Sequence, residues 1–295
     1  MAPGPGDQIA PLPFALKSAT LLPEVKVMLL LCLWRKNMLK RLGSLLLVLF
    51  LLTGAYGCSP GQKPKATKQA APVIPVTGVA VPILYYHLID DNLWSPFHSM
   101  FVSPPDFANQ MKYLKTAGYT VIPLVQIENA GQYTRPVIIT FDDGYEDNYT
   151  NAYPILKEYN FPATVFLISG FIGKPHYLNA DQIMQMEDLV SFQDHTVTHR
   201  SLATLSAAVQ EHELSASRQA IEALTGQNVF AVAYPDGSYN RTTIEITRQL
   251  GYKYAFLMVP GGIYHTGEDP YTIKRVNIAR GLDLNGFIKK IQGLK

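Results

Sequence analysis

From residue 82 to residue 291, short apolar runs rich in β-branched residues alternate with segments of helical spacing. That alternation restricts the chain to parallel βαβ units. Strands are expected over 82–86, 119–122, 137–141, 163–168, 189–192, 229–233, 252–258 and 273–278. Helices are expected over 105–117, 124–129, 149–159, 180–186, 206–224, 242–250 and 284–291. Gly118, Gly226 and Gly251 each follow a helical segment as a stop. In 206–224, Val209, Leu214, Ile221 and Leu224 mark the face expected to turn inward. About seven repeats predict a small or incomplete (β/α) barrel, with a flat doubly wound sheet as the alternative. No Gly-x-Gly-x-x-Gly run follows the first strand, so nothing supports dinucleotide binding.

Polar residues collect where these strands end. His87 follows the first strand, Asp142 and Asp143 end 137–141, His195 and His199 follow 189–192, and Tyr234 to Asp236 follow 229–233. In a (β/α) barrel, the C-terminal strand ends carry the functional groups. A buried core cannot hold two free carboxylates. Asp142 and Asp143 therefore belong at an open end of the sheet with a partner, for which a divalent metal is the expected choice. Histidines four apart can face one side of a helical turn. The intervening Thr196, Val197 and Thr198 are β-branched, which favours a loop running into the helix. Two imidazoles and a carboxylate make a ligand set that leaves room for water and substrate. Such nitrogen and oxygen donors suit Zn²⁺ first, with Co²⁺, Mn²⁺, Fe²⁺ or Ni²⁺ also fitting.

Hydrophobic residues make up 47% of the chain and charged residues only 16%, and much of the apolar excess precedes residue 58. Met38-Leu39-Lys40-Arg41 is a short basic segment ahead of the apolar stretch 44–53, which is too short to span a bilayer comfortably. It ends in Gly54-Ala55-Tyr56-Gly57-Cys58. Residues 38–58 thus resemble a bacterial lipoprotein signal cleaved before Cys58, although Ala55 stands where leucine is usual. An uncleaved signal anchor is the alternative, and either reading predicts an extracytoplasmic protein held at a membrane or secreted. Residues 1–37 do not fit ahead of such a signal. They are expected to be an over-extended reading frame with Met38 as the true start; a start at Met28, or two short membrane segments, are the alternatives. Residues 59–81 read as a Pro/Lys-rich linker, and 82–295 as the catalytic domain. The two cysteines, Cys32 and Cys58, leave the body of the protein without thiol chemistry. Residues 1–58 hold six of the 25 Lys+Arg and two of the 23 Asp+Glu, so the overall +2 comes from the targeting region. It makes no case for a nucleic-acid partner.

Thr140-Phe141-Asp142-Asp143-Gly144-Tyr145 and His195-Thr196-Val197-Thr198-His199 resemble the first two motifs of the polysaccharide deacetylase family, carbohydrate esterase family 4. Tyr234-Pro235-Asp236-Gly237-Ser238-Tyr239-Asn240 resembles the third. Ile83-Leu84-Tyr85-Tyr86-His87 resembles the first-strand Tyr-His of the permuted branch acting on exported poly-N-acetylglucosamine. The resemblance covers about 82–291. It implies a metal-dependent hydrolase that removes acetyl groups from an N-acetylglucosamine-containing glycan. It also implies Asp143, His195 and His199 as metal ligands, Asp142 as general base, His87 as general acid and the backbone N–H of Asp236 at the oxyanion. Tyr145, Tyr234 and Tyr239 would then stack on sugar rings, with Pro235, Asp236 and Gly237 lining the substrate site. An O-acetyl esterase, or a glycan-binding lipoprotein without catalysis, are the alternatives.

Three departures stand out. The family's third motif commonly carries an arginine two residues before its proline, and that position is Ala233 here. A base-orienting salt bridge is therefore expected to be missing. Asp236 replaces a usual aromatic residue. Arg275-Val276-Asn277-Ile278-Ala279 lacks the late histidine of the family, so His87 is the expected acid, with His176 and His265 behind it.

Overall fold

Strand side chains alternate between two faces, so a strand closed into a barrel carries one inward and one outward row. In the computed structural model, which describes residues 77–91, 98–260 and 262–294, seven strands do this. They are β1 (Ile83–Tyr86), β2 (Pro136–Phe141), β3 (Ala163–Leu167), β4 (Val190–Asp194), β5 (Ala231–Ala233), β6 (Tyr254–Pro260) and β7 (Ile273–Asn277). Each pairs in parallel with the next in sequence. β7 pairs with β1 through Val276–Leu84 and Asn277–Tyr85, which closes the ring. The flat-sheet alternative is thereby excluded. Thr120–Val121 pairs with β2 outside the ring.

Ile83, Ile138, Phe166, Ala231, Phe256 and Ile273 form one buried cluster, the barrel interior. The alternate residues Leu84, Ile139, Val165, Phe192, Val232 and Leu257 form another, between barrel and helices. Burial on both faces is why these strands read as continuous apolar runs.

The helices are α1 (Pro104–Thr116), α2 (Tyr153–Tyr159), α3 (Ala180–Gln185), α4 (Ala207–Thr225), α5 (Arg241–Gln249) and α6 (Leu284–Ile291). Ser103 caps α1 by accepting the N–H of Asp106, and Gly226 ends α4 in the left-handed region at φ 68°. Three helical expectations change. The segment expected over 124–129 is a 3₁₀ helix, Leu124–Gln132. Segment 149–159 is a π turn, Asn148–Ala152, followed by α2. The wider turn sets Asn148 and Asn151 to donate to the carbonyls of His87 and Ile89. On α4, Val209 and Leu224 are only half-buried, while polar Gln210, Glu213 and Ser217 share the buried face with Leu214 and Ile221.

Ala80–Val81, expected in the linker, pairs antiparallel with Tyr264–His265, and Val81 is fully buried. The expected start, signal segment, linker to residue 76 and both cysteines lie outside the described residues. Among the described residues no helix is long and apolar enough to cross a membrane.

Candidate active site

The inward rows of three strands run on into functional groups. Ile83 and Tyr85 lead to His87, Ile138 and Thr140 to Asp142, and Ser191 and Gln193 to His195. All three end groups are buried. Asp143 breaks the alternation. It and Gly144 both take left-handed backbone, at φ 72° and 74°. For a non-glycine residue this costs about 1 kcal/mol. The turn brings Asp143 Oδ1 to 3.3 Å from His195 Nε2 and 3.4 Å from His199 Nε2.

That oxygen is buried and has no hydrogen-bond partner. Two ligands held about 2.0–2.1 Å from one tetrahedral ion lie about 3.3–3.4 Å apart. Both separations have that size, and one donor atom from each residue falls within 4.8 Å of the others. His195 Nδ1 lies 2.7 Å from the carbonyl oxygen of Ala233. A carbonyl only accepts, so Nδ1 carries the proton and Nε2 offers its lone pair. Burial lowers the pKa of His199 and favours its neutral, ligating form. The residues therefore fit a divalent ion. The His195–His199 spacing is met by a loop rather than a helical turn, with Thr196 at φ 67° and His199 at φ 56°.

Asp142 has the partner that the departure at Ala233 had seemed to remove. Arg275 of β7 lies inside the barrel, wholly buried, on the same inward row as Ile273. Its Nη1 donates to Asp142 Oδ1 at 2.7 Å and its Nη2 to Oδ2 at 2.6 Å. Nε donates to the Leu257 carbonyl at 3.1 Å, and Nη1 also reaches Thr140 Oγ1 at 3.1 Å. The Tyr85 ring centroid lies 4.6 Å from the guanidinium carbon. Burial alone would raise the pKa of Asp142, but the charge and paired hydrogen bonds of Arg275 bring it below the ordinary carboxylate value. Asp143 is likewise lowered: burial alone would raise it, and the neighbouring imidazoles of His195, His87 and His199 overcome this.

A cleft of about 320 Å³ opens over the triad, its lining including Asp143, His199, Asp236, Tyr145, Tyr177 and Phe171. Tyr145 is mostly buried and stacks on Tyr177 at 5.1 Å. Asp236 is exposed, left-handed at φ 56°, and accepts from Ser201 Oγ at 2.7 Å. Gly237 follows at φ 64°, where a Cβ would lie 3.1 Å from the Met258 nitrogen. Tyr234 is not in the cleft. It continues the outward row of β5, is fully buried in the helix-facing core and donates to Thr247 Oγ1. Pro235 is buried too. Tyr239, 37% exposed and stacked on Tyr234 at 5.6 Å, is the ring that faces outward.

Asp147, beyond the same turn, is buried and accepts from Ile89 N at 3.0 Å and Asn148 Nδ2 at 2.9 Å. Burial outweighs these bonds and pushes its carboxyl up to about 7 from 3.8. The folded state then holds a proton that the unfolded chain releases between about pH 4 and 7. Asp147 therefore favours folding fully below this window and loses that contribution as pH rises through it. Asp147→Asn is expected to flatten stability across the window, measured by urea unfolding at several pH values.

A closed parallel barrel with an ionised carboxylate beside an Asp–His–His triad at its C-terminal mouth describes a hydrolase site. Residues 130–255 match the sequence profile of the Polysaccharide deacetylase family. YxkH of Bacillus subtilis (strain 168), named for the polysaccharide deacetylases, is 32% identical over 221 residues, 73% of this chain and 77% of its own. The Poly-beta-1,6-N-acetyl-D-glucosamine N-deacetylase of Staphylococcus aureus (strain MRSA252) is 30% identical, over 60% of this chain and 68% of its own. Among solved structures, the Streptococcus pyogenes deacetylase PplD in complex with acetate superposes with a TM-score of 0.68 at 32% identity. That match covers 73% of this chain and 99% of PplD. The chain belongs to the polysaccharide deacetylase family.

Proposed function

We propose that this protein is a metal-dependent N-deacetylase of an extracytoplasmic, N-acetylglucosamine-containing polysaccharide. The observation that carries this reading is the Arg275-held Asp142 adjacent to the orphaned Asp143 oxygen. A glycan-binding module has no use for a buried ionised base beside a ligand set. Asp143, His195 and His199 would hold the ion, Zn²⁺ by the preference of such donors. When bound, it would supply Lewis-acid polarisation of the acetyl carbonyl and a more acidic water.

The chain's own residues supply the proton transfers. Asp142, ionised and fixed by Arg275, accepts a proton from the attacking water. His87, buried near both aspartates, gives a proton to the departing nitrogen. Water and the acetamide thereby become acetate and a glucosamine amine. Tyr145, Phe171, Tyr177 and Asp236 border the room a sugar would occupy. The signal-like segment 38–58 supports export and membrane attachment, and the staphylococcal relative supports a poly-N-acetylglucosamine substrate.

Mass analysis of chitin oligomers, poly-N-acetylglucosamine and peptidoglycan fragments tests the substrate class, with a chelated control. An amine leaving group needs protonation far more than an alkoxide. His87→Ala is therefore expected to slow amide hydrolysis by about 10²-fold or more and ester hydrolysis by less than about tenfold. Equal loss on paired N-acetyl and O-acetyl substrates would remove His87 as the acid.

A further inference from the structure

His195 is anchored at the end of β4 by its bond to Ala233, but His199 rides on a loop with two left-handed residues. Neither threonine nor histidine holds such backbone unaided. The hold comes from side chains, which satisfy four consecutive N–H groups. Thr196 N donates to Asp194 Oδ1 at 2.8 Å, and His199 N to Thr196 Oγ1 at 3.1 Å. Between them, Val197 N and Thr198 N both donate to Glu213 Oε2, at 3.0 and 2.9 Å. Thr198 Oγ1 donates to Glu213 Oε1 at 2.5 Å.

Successive N–H groups turned to one side form a concavity that binds an anion. Here the anion is the carboxylate of Glu213, 3% exposed and carried by α4. The other side of the loop is closed by backbone. Ser169 N and Gly170 N donate to the carbonyls of Thr196 and Val197, both at 3.0 Å. A Cβ on Gly170 would lie 2.4 Å from the Val197 oxygen, so the loop cannot shift that way.

We propose that Glu213 is a positioning residue for His199: it fixes the loop that presents this imidazole and so sets the affinity of the centre for a divalent ion. The proposal rests on reading Asp143, His195 and His199 as metal ligands. Glu213 makes no contact with these donor atoms among its hydrogen bonds. Its effect passes through the backbone of Val197 and Thr198.

The test is Zn²⁺ affinity of the metal-stripped full chain, by competition with a chromophoric chelator. Glu213→Ala is expected to weaken Zn²⁺ binding about 10–100-fold, the size seen when outer partners of metal ligands are removed. It should also alter the visible bands of the Co²⁺-loaded protein. Glu213→Gln keeps an acceptor oxygen and is expected to stay within about threefold of wild type. Gln210→Ala is the structural control. Gln210 is buried on the same helix and bonds Leu205 and Thr243, not the loop. That change should lower the melting temperature with Zn²⁺ affinity unchanged. If Glu213→Ala does not fold, Glu213→Asp draws the carboxylate back by one methylene and is expected to cost about tenfold. Wild-type affinity in Glu213→Ala or Glu213→Asp overturns the proposal. Absence of Zn²⁺ binding by wild type would instead overturn the metal-site reading and the proposal with it.

Discussion

Arg275→Met is expected to cut turnover by at least about 10²–10⁴-fold, the range lost when a general base no longer works. The same change is expected to destabilise the fold by about 3–5 kcal/mol, because Asp142 would remain as an uncompensated buried charge. The sign of the pH effect follows. In the wild type, Arg275, with smaller help from His195 and His87, offsets burial and holds the pKa of Asp142 down. A group lowered in this way favours folding above its unfolded pKa and loses that contribution only in acid. With Arg275 gone, the main influence opposing burial is lost and the pKa of Asp142 moves upward. The acid limb of kcat/KM should then move to higher pH, which a merely looser barrel would not cause. Arg275→Lys keeps a charge but not the two-pronged fit, and should fall between wild type and Arg275→Met. A double change with Asp142→Asn should cost less stability than the two single changes summed, since it removes the pair together.

The second large effect is Asp142→Asn. The amide occupies the same volume but cannot accept a proton, so turnover is expected to drop by about 10³-fold or more. Zn²⁺ affinity should stay within a few-fold of wild type, since the donor atoms belong to Asp143, His195 and His199. That combination, measured by steady-state kinetics and chelator competition, separates base from ligand within an adjacent Asp-Asp pair. Loss of metal in Asp142→Asn would merge the two roles.

The barrel was legible because its strands are buried on both faces and each repeat keeps its order around the ring. Asp142, Asp143, His195 and His199 were legible because charges and imidazoles interrupt apolar runs at strand ends. Arg275 was read only as part of a segment without a histidine. Yet residue alternation puts it on the inward row of Ile273, where a lone guanidinium must find a carboxylate. Tyr234 was misplaced for the converse reason: it shares the outward row of Val232, so its ring enters the helix layer. Spacing could not reveal that His199 sits on left-handed backbone. Glu213 was not among the residues marked as inward on 206–224, because its partners are N–H groups whose direction depends on that backbone.

The most direct test compares wild type loaded with Zn²⁺, the same protein stripped by a chelator, and Zn²⁺-loaded Asp142→Asn. Each is incubated with N-acetylglucosamine oligomers, and the products are weighed by mass spectrometry. Loss of acetyl groups with release of acetate is predicted for the loaded wild type alone. Equal loss in the stripped protein or in Asp142→Asn, or none from the loaded wild type on any acetylated glycan, would contradict a metal-dependent deacetylase with Asp142 as its base.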